Sequence, residues 1–383
     1  MRCSLLPEIL DLIVNDLHDE PTTLRSCCIV NKSWILRARK HLFARVEFHA
    51  KKSHVERWKK TFPDPSDSPA HHTRSLSILG LPVVTTADTD LGGWIRTFRK
   101  VTHLRLECLS WEDRQASLIP FHGLSPDIRS LRMTSTVFEF FDLVCSFPLL
   151  EDLALFLLVA RGSSTKWAPP LTSPKLTGSL DVGAMGGIHF AIPRLLDLPG
   201  GLRFEKITLQ CLNGDFESTT ELMSRCSDTL ESLTVRYYNL GVSPSVSVID
   251  YTSPPLVDAG TVEATPLDLS AATKLKDLVF QSPWENVQWI IRALQTVKSK
   301  NLRSITLRPS SAASVNTTVE RIHQEWQELD HLLVQCWTSH SIRPRIVYQP
   351  VEGRKDMRDY SPSLLPELTR RGLVDLVEAP ASP

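Results

Sequence analysis

CSDTLESLTV, residues 226–235, places apolar side chains at Leu230, Leu233 and Val235, the form L-x-x-L-x-L. Its second half alternates apolar and polar residues, the period of a strand with one buried face. FPLLEDLAL, residues 147–155, repeats the form with Leu150, Leu153 and Leu155. Working outward, the apolar-x-apolar signal returns at Leu76, Leu104, Leu131, Leu153, Leu180, Ile207, Leu233, Leu278, Ile305 and Ile346. Successive gaps are 28, 27, 22, 27, 27, 26, 45, 27 and 41 residues. A recurrence this regular predicts a repeat array rather than one closed core. Another apolar residue stands three places earlier at Val101, Ile128, Leu150, Phe204, Leu230, Leu275 and Leu302, but not in the Leu76 and Leu180 repeats. Helical periodicity fills the spaces at 94–100, 138–147, 217–226, 287–298 and 319–337. Strand and helix therefore alternate, and the expected class is an α/β repeat solenoid with parallel strands inside and helices outside.

Length and composition agree with that. A chain of 383 residues exceeds the span of one compact core, so two domains or an elongated array are expected. Hydrophobic residues at 42% and charged residues at 22% argue against a mainly disordered chain. Basic and acidic residues balance at 43 each, which removes the global positive field of a non-specific nucleic-acid binder. The eight cysteines are scattered without a C-x-x-C pair, a pattern that suits reduced cytosol. Residues 1–17 are broken by Glu8, Asp11 and Asp16 and do not read as a secretory signal. The longest apolar run, Leu153 to Ala160, is well short of the roughly 20 residues that cross a bilayer. The sequons at Asn31 and Asn316 carry no meaning outside a secretory compartment.

Ahead of the array the period changes. Pro7 suits a helical first turn, and Glu8 to Leu17 continues without proline or glycine. At 100° per residue Ile9, Leu10, Ile13, Val14 and Leu17 cover an arc of about 140°, with Leu12 apart, so apolar surface falls on two sides. A second helix opens at Asp19 and Pro21 and runs through Val30; a third spans Ser33 to Leu42 and Phe43. Forty residues with surplus apolar surface imply completion by a partner. The order Leu6-Pro7-Glu8-Ile9-Leu10, Ile13, Leu17, Leu24, Cys28, Val30, Lys32, Trp34, Leu42-Phe43 resembles the F-box, and the wording LHDEPTTLRSCCIVNKSWILRARKHLF is similar to F-box proteins of basidiomycete fungi. That resemblance implies docking on a Skp-type adaptor and, through it, on a cullin. Leu6, Pro7, Ile9, Leu10, Ile13, Leu17, Leu24, Cys28 and Val30 would then supply the adaptor surface and the small core behind it, with Trp34 locking the third helix. The same helices also fit a plain cap on the repeats.

The array itself resembles leucine-rich repeats, and FPLLEDLAL and CSDTLESLTV are similar to such segments in fungal F-box proteins. The asparagine that commonly follows the strand in that family is replaced by Leu109, Thr136, Leu158 and Leu212, which implies an irregular curvature. The long gaps hold insertions, one at 241–270 rich in proline, serine and threonine, the other a polar loop and the longest helix between 308 and 345. Residues 161–175 read as a proline-rich surface loop, and 62–72 as the boundary ahead of the first strand. The expected domains are an F-box at 1–47, a basic linker at 48–72, a leucine-rich-repeat-like solenoid at 73–350, and a closing segment and tail at 351–383.

Chemistry-bearing motifs are few. GAMGG at 183–187 lacks dinucleotide-binding spacing and reads as a turn, and there is neither a G-x-S-x-G nor a Walker loop. His71-His72 in a polar loop, and His323 with His331 on a helix, have no zinc-type companions. No enzymatic activity, cofactor or metal is therefore expected. Residues 37–60 carry nine basic side chains against Glu47 and Glu56 and read as a solvated linker helix with Trp58 packed inward, in preference to a nucleic-acid site. Polar positions between the strand leucines would face a target protein: Arg105, Glu107, Arg132, Thr134, Asp181, Thr208, Gln210, Thr234, Arg236, Thr306 and Arg308. The functional expectation is a substrate-recognition subunit of a cullin-RING ubiquitin ligase in the cytoplasm or nucleus, with adaptor, cullin and target as partners and neither membrane nor nucleic acid among them. The alternative is a repeat scaffold without a ligase role.

Overall fold

The computed structural model describes residues 6–30, 32–49, 52–64, 67–79, 93–107, 121–122, 124–135, 140–158, 171–185, 188–212, 217–238, 267–283, 287–310, 319–340, 342, 344–348 and 362–378. They divide into two compact units, Met1–Leu176 with Leu198–Gly200, and Thr177–Asp197 with Gly201–Pro383.

The first unit opens with helices α1 (Pro7–Asp16), α2 (Pro21–Val30) and α3 (Lys32–Leu42). Pro7 and Glu8 occupy the first turn of α1, where a missing N–H costs nothing and a carboxylate suits the helix dipole. Arg39, Lys40 and His41 in the last turn of α3 complement the opposite pole. Strand β1 (Arg45–His49) follows, then helix α4 (Lys52–Thr61), a 3-10 turn at Pro69–His72, and strands β2 (Ser75–Leu79), β3 (His103–Glu107) and β4 (Ser130–Ser135). Helix α5 (Phe140–Cys145) and strand β5 (Asp152–Leu158) complete the unit. All its strand pairs are parallel, in the order β1, β2, β3, β4, β5.

The register explains the periodicity. Val46, Leu76, Leu104, Leu131 and Leu153 are aligned partners, and so are Phe48, Ile78, Leu106, Met133 and Leu155. Both rows are buried. Each side chain contributes about 1.5–3 kcal/mol on burial, so a strand slipped by one residue would forfeit its whole inward set. A second device recurs at the strand entrances: one carbonyl accepts the two successive amides that open the next repeat. Ala44 O takes Arg74 N and Ser75 N, Arg74 O takes Thr102 N and His103 N, Thr102 O takes Arg129 N and Ser130 N, and Arg129 O takes Glu151 N and Asp152 N, all at 2.8–3.1 Å.

The second unit repeats this plan. Strands β6 (Ser179–Met185), β7 (Lys206–Leu212), β8 (Ser232–Tyr238), β9 (Asp277–Pro283), β10 (Ser304–Ser310), β11 (Pro344–Tyr348) and β12 (Asp375–Glu378) pair in parallel in that order. Between them lie α6 (Ile188–Leu196), α7 (Glu217–Arg225), α8 (Gln288–Thr296), α9 (Val319–His340) and α10 (Pro366–Arg370). Gly178 O, Glu205 O, Glu231 O and Lys276 O each take two amides of the following repeat. Leu180, Ile207, Leu233, Leu278 and Ile305 form the first buried row. Near its end, the Asp330 carboxylate of α9, 1% exposed, accepts from the Glu367 and Leu368 amides at 2.7 and 3.0 Å and so caps α10 from another helix.

All ten expected strands are present, with one register correction. Ile346 aligns with Leu307, in the second apolar row, and Pro344 aligns with Ile305. Two strands were not expected. β1 lies across the boundary drawn at residue 47, so the basic stretch is divided into α3, β1 and α4 rather than forming one linker helix; β12 lies in the closing segment. The helix α6 was also missed, and GAMGG is strand through Met185 rather than turn, with 186–187 outside the described residues. Of the helix expected at 94–100, only 94–95 are helical, after which the backbone turns. Leu109, Thr136, most of 161–175 and most of 241–270 fall outside the described residues, as do the side chains of Leu158 and Leu212.

Two features give direct tests. Phe48 of β1 sits among rings, with centroids 5.4 Å from Trp58, 4.9 Å from Trp94 and 6.1 Å from Phe98, while Phe43 after α3 packs on Trp58 and Phe62 at 5.7 and 5.9 Å. Phe48→Ala should therefore lower stability by about 3–5 kcal/mol in urea unfolding, the range for emptying a buried aromatic site. The repeat of Leu76 lacks the upstream apolar residue, and Thr73 fills that place, buried with its hydroxyl unpartnered. Thr73→Val keeps the shape and removes the desolvated hydroxyl, so it should raise stability by about 1 kcal/mol; a fall in the urea midpoint would show that the hydroxyl is satisfied.

Candidate functional site

The three helices sort their apolar residues into two sets. Val14, Leu24, Cys27 and Ala38 form a buried core, with Leu17, Cys28, Trp34 and Leu42 packed against it, and Leu10 is buried as well. Leu6, Ile9, Leu12, Ile13, Ile29, Val30 and Leu36 are exposed, from 37% at Ile13 to 86% at Ile29. On α1 the helical geometry separates the sets: Leu10, Val14 and Leu17 share one side, while Ile9, Ile13 and Leu12 turn away from it. Seven of the nine large apolar side chains exposed among the described residues thus lie between Leu6 and Leu36. Patches of this kind mark interaction surfaces.

The exposed set is held on a fixed frame. Arg37 of α3 donates from Nε to Asp11 Oδ1 of α1 at 2.5 Å and from Nη1 to Ser33 O at 2.8 Å, and His41 Nε2 lies 2.9 Å from Asn15 Oδ1. Burial, reinforced by Lys40, His18 and Arg74, lowers the His41 pKa, which favours the neutral imidazole at pH 7. Burial raises the Cys28 thiol against the opposing pull of Arg39.

Of the residues expected at an adaptor surface, Leu6, Ile9, Ile13 and Val30 are exposed; Leu10 and Leu24 belong to the core, and Leu17, Cys28 and Trp34 line it. The Pro7 side chain is outside the described set. Sequence reasoning left Ile29 and Leu36 out of the surface. The signal for Leu36 was present, since at 100° per residue it lies on the opposite side of α3 from the buried Ala38.

The polar positions on the strands lie between buried leucines and so share the opposite face of each sheet. In the first unit, Arg105 donates from Nε to Glu107 at 2.9 Å and from Nη2 to the same carboxylate oxygen, and the Arg132 guanidinium lies 4.8 Å over the Phe156 ring. Thr134 is half-buried beside Glu107 in register. In the second unit, Asp181, Thr208 and Thr234 are register neighbours and half-buried, as are Gln210 and Arg236. Arg308 is exposed. Thr306, only 9% exposed, presents little surface and is corrected from the expected target-facing set.

The basic stretch does pack its tryptophan inward, Trp58 meeting Phe43, Phe48, Phe62 and Phe98. Among the described residues no group of three His, Cys, Asp or Glu could hold a metal ion, and no helix is long and apolar enough to cross a membrane. The His71 and His72 rings are tilted at 50° to one another with centroids 3.9 Å apart, and burial next to His71 and Lys100 lowers the His72 pKa. Set against known proteins, the chain matches no protein-family model, and no curated protein is similar to it.

Burial weakens three further thiols as nucleophiles. Burial pushes Cys145 and Cys226 up to about 11, and raises Cys336 as well. The neutral thiol then predominates at pH 7.5, so iodoacetamide should modify Cys145 and Cys226 far more slowly in the folded chain than in urea; equal rates, read by peptide mass mapping, would place these thiols in solvent.

Proposed function

We propose that this chain is the substrate-recognition subunit of a cullin-RING ubiquitin ligase, its helices α1–α3 acting as an F-box that binds a Skp-type adaptor and its repeats holding a target protein, in the cytoplasm or nucleus. The observation that carries the reading is the concentration of exposed apolar side chains on these three helices, on a frame whose own core is already closed. The order of residues from Leu6 to Phe43 adds the resemblance to the F-box. The repeats support the second half of the reading, since a parallel ladder offers an extended polar face of the kind repeat proteins use for partners. Work of this type is proximity: the chain brings a target to a ubiquitin-charged enzyme and needs no nucleophile, base or cofactor of its own.

A scaffold without a ligase role is the competing reading. It is favoured by the Phe43, Phe48 and Trp58 cluster, which makes the helices a natural cap for the first strand. Adaptor binding separates the two. Co-expressed with a Skp-type adaptor, the wild-type chain should purify as a one-to-one complex, while Ile9→Asp with Ile13→Asp, both exposed and outside the buried core cluster, should leave the chain folded and weaken the complex about 100-fold or more. That follows from about 1.5–3 kcal/mol for each buried aliphatic anchor. A well-folded wild type that ignores the adaptor would leave the scaffold.

A further inference from the structure

Five arginines stand on the polar faces of strands β3, β4, β8, β10 and β11, and they differ in what engages them. Arg105 is bound to Glu107, Arg132 lies on the Phe156 ring, and Arg345 pairs with Asp375 at 3.8 Å. Arg236 and Arg308 have no such partner among the described residues, and the Arg236 Nε is buried without an acceptor. A guanidinium N–H shut away from both water and protein is costly to keep unpaired. It marks a place where an incoming anion would gain more than on an open surface.

The register places these two arginines in one row: Gln210, Arg236, Gln281 and Arg308 are successive partners on β7, β8, β9 and β10. The adjoining row, Thr208, Thr234, Val279 and Thr306, carries no carboxylate on these four strands and reaches one only at Asp181 of β6. On these four strands the two rows present two positive charges with an amide between them; the acidic residue of the same face, Asp277 of β9, stands at the strand entrance four residues from Gln281 and accepts from Ser304 Oγ at 2.6 Å. Neighbouring strands lie about 4.8 Å apart, so the two arginine positions are separated by about 9.6 Å along the row. An extended polyproline-II chain rises about 3.1 Å per residue with three residues per turn, so side chains at i and i+3 share one face about 9.3 Å apart. The spacings coincide. Such a chain leaves its own N–H and C=O groups unbonded, and a glutamine amide, both donor and acceptor, can serve them.

We infer that the polar face of β7–β10 binds an extended acidic segment of a protein target, with carboxylates three residues apart on Arg236 and Arg308 and the intervening backbone on Gln281. Each guanidinium takes one carboxylate by paired N–H donors, a geometry lysine does not reproduce. Two separate anions match the row better than a single phosphate, and the charge-balanced chain lacks the field that a nucleic acid would select. The inference rests on the proposal that the repeats hold a protein target.

The test uses the full chain and fluorescein-labelled peptides read by anisotropy at low salt. Gly-Ser-Glu-Pro-Pro-Glu-Pro-Ser-Gly is compared with a version carrying glutamine in place of both glutamates, a version with the glutamates adjacent, and a twelve-nucleotide oligothymidylate. The glutamate i, i+3 peptide should bind about tenfold or more tighter than either peptide control; Arg236→Gln and Arg308→Gln should each remove about tenfold, and Arg132→Gln should change little. Equal binding of the glutamate and glutamine peptides, equal binding of the two glutamate spacings, preference for the oligonucleotide, or indifference to both substitutions would each overturn the inference. Adaptor capture is read on the same preparations. Adaptor loss with peptide binding intact counts against the ligase reading alone, and peptide loss with adaptor binding intact counts against this inference alone.

Discussion

At eight strand entrances among the described residues a single carbonyl accepts two consecutive amides of the next repeat, and much of the architecture follows from that constraint. Because Arg74 O fixes both Thr102 N and His103 N, the entry of β3 cannot rotate or slide, and Leu104 must lie beside Leu76. The same fixing at Glu205 and Glu231 aligns Ile207, Leu233 and Leu278 in the second unit. Backbone groups that would be buried without water are thereby paired, and the leucines can close on one another without a register alternative. Side chains reinforce the spacing only lightly: Arg129 with Glu151 and Lys276 with Glu231 bridge neighbouring repeats at 2.7 and 2.5 Å, both at the surface.

The strands were legible because two independent periods coincide in them, the alternation within a strand and the spacing of about 27 residues between strands. β1 escaped because Arg45 to His49 offers only Val46 and Phe48 as inward residues inside a run of basic side chains, and no repeat precedes it to set the count. β12 escaped for the converse reason, being a four-residue strand after an irregular gap. At β11 the eye chooses Ile346 because it is the first good aliphatic; the register instead gives the first place to Pro344, whose missing N–H a strand entrance tolerates. α6 was obscured by Pro193, which argues against a helix by composition yet sits inside one.

The candidate surface was legible in part. That residues 6–36 carry more apolar area than three helices can bury is a matter of counting, and it is visible in the sequence. Which residues turn outward is not, because Leu10 and Ile9 are neighbours of equal hydrophobicity, and only the placement of α3, held by Arg37 on Asp11, decides between them. On the strands, spacing identifies the polar face but not how it is used. Arg105 stands between the two buried rows and Arg236 just beyond the second; one is answered by Glu107 two residues on, and the other by nothing among the described residues.

The carboxylate of Asp330 has a bearing on how the chain is made as well as how it stands. Its two amide partners lie 37 and 38 residues further along, and its neighbours on α9 include the buried Leu329 and Leu333. A polypeptide interrupted between Asp330 and Glu367 would leave that buried carboxyl group without its two amide donors, and α9 would settle less firmly. Only a chain that extends through Leu368 supplies the missing amides. Translation products cut short ahead of that point would be left poorly folded and open to degradation.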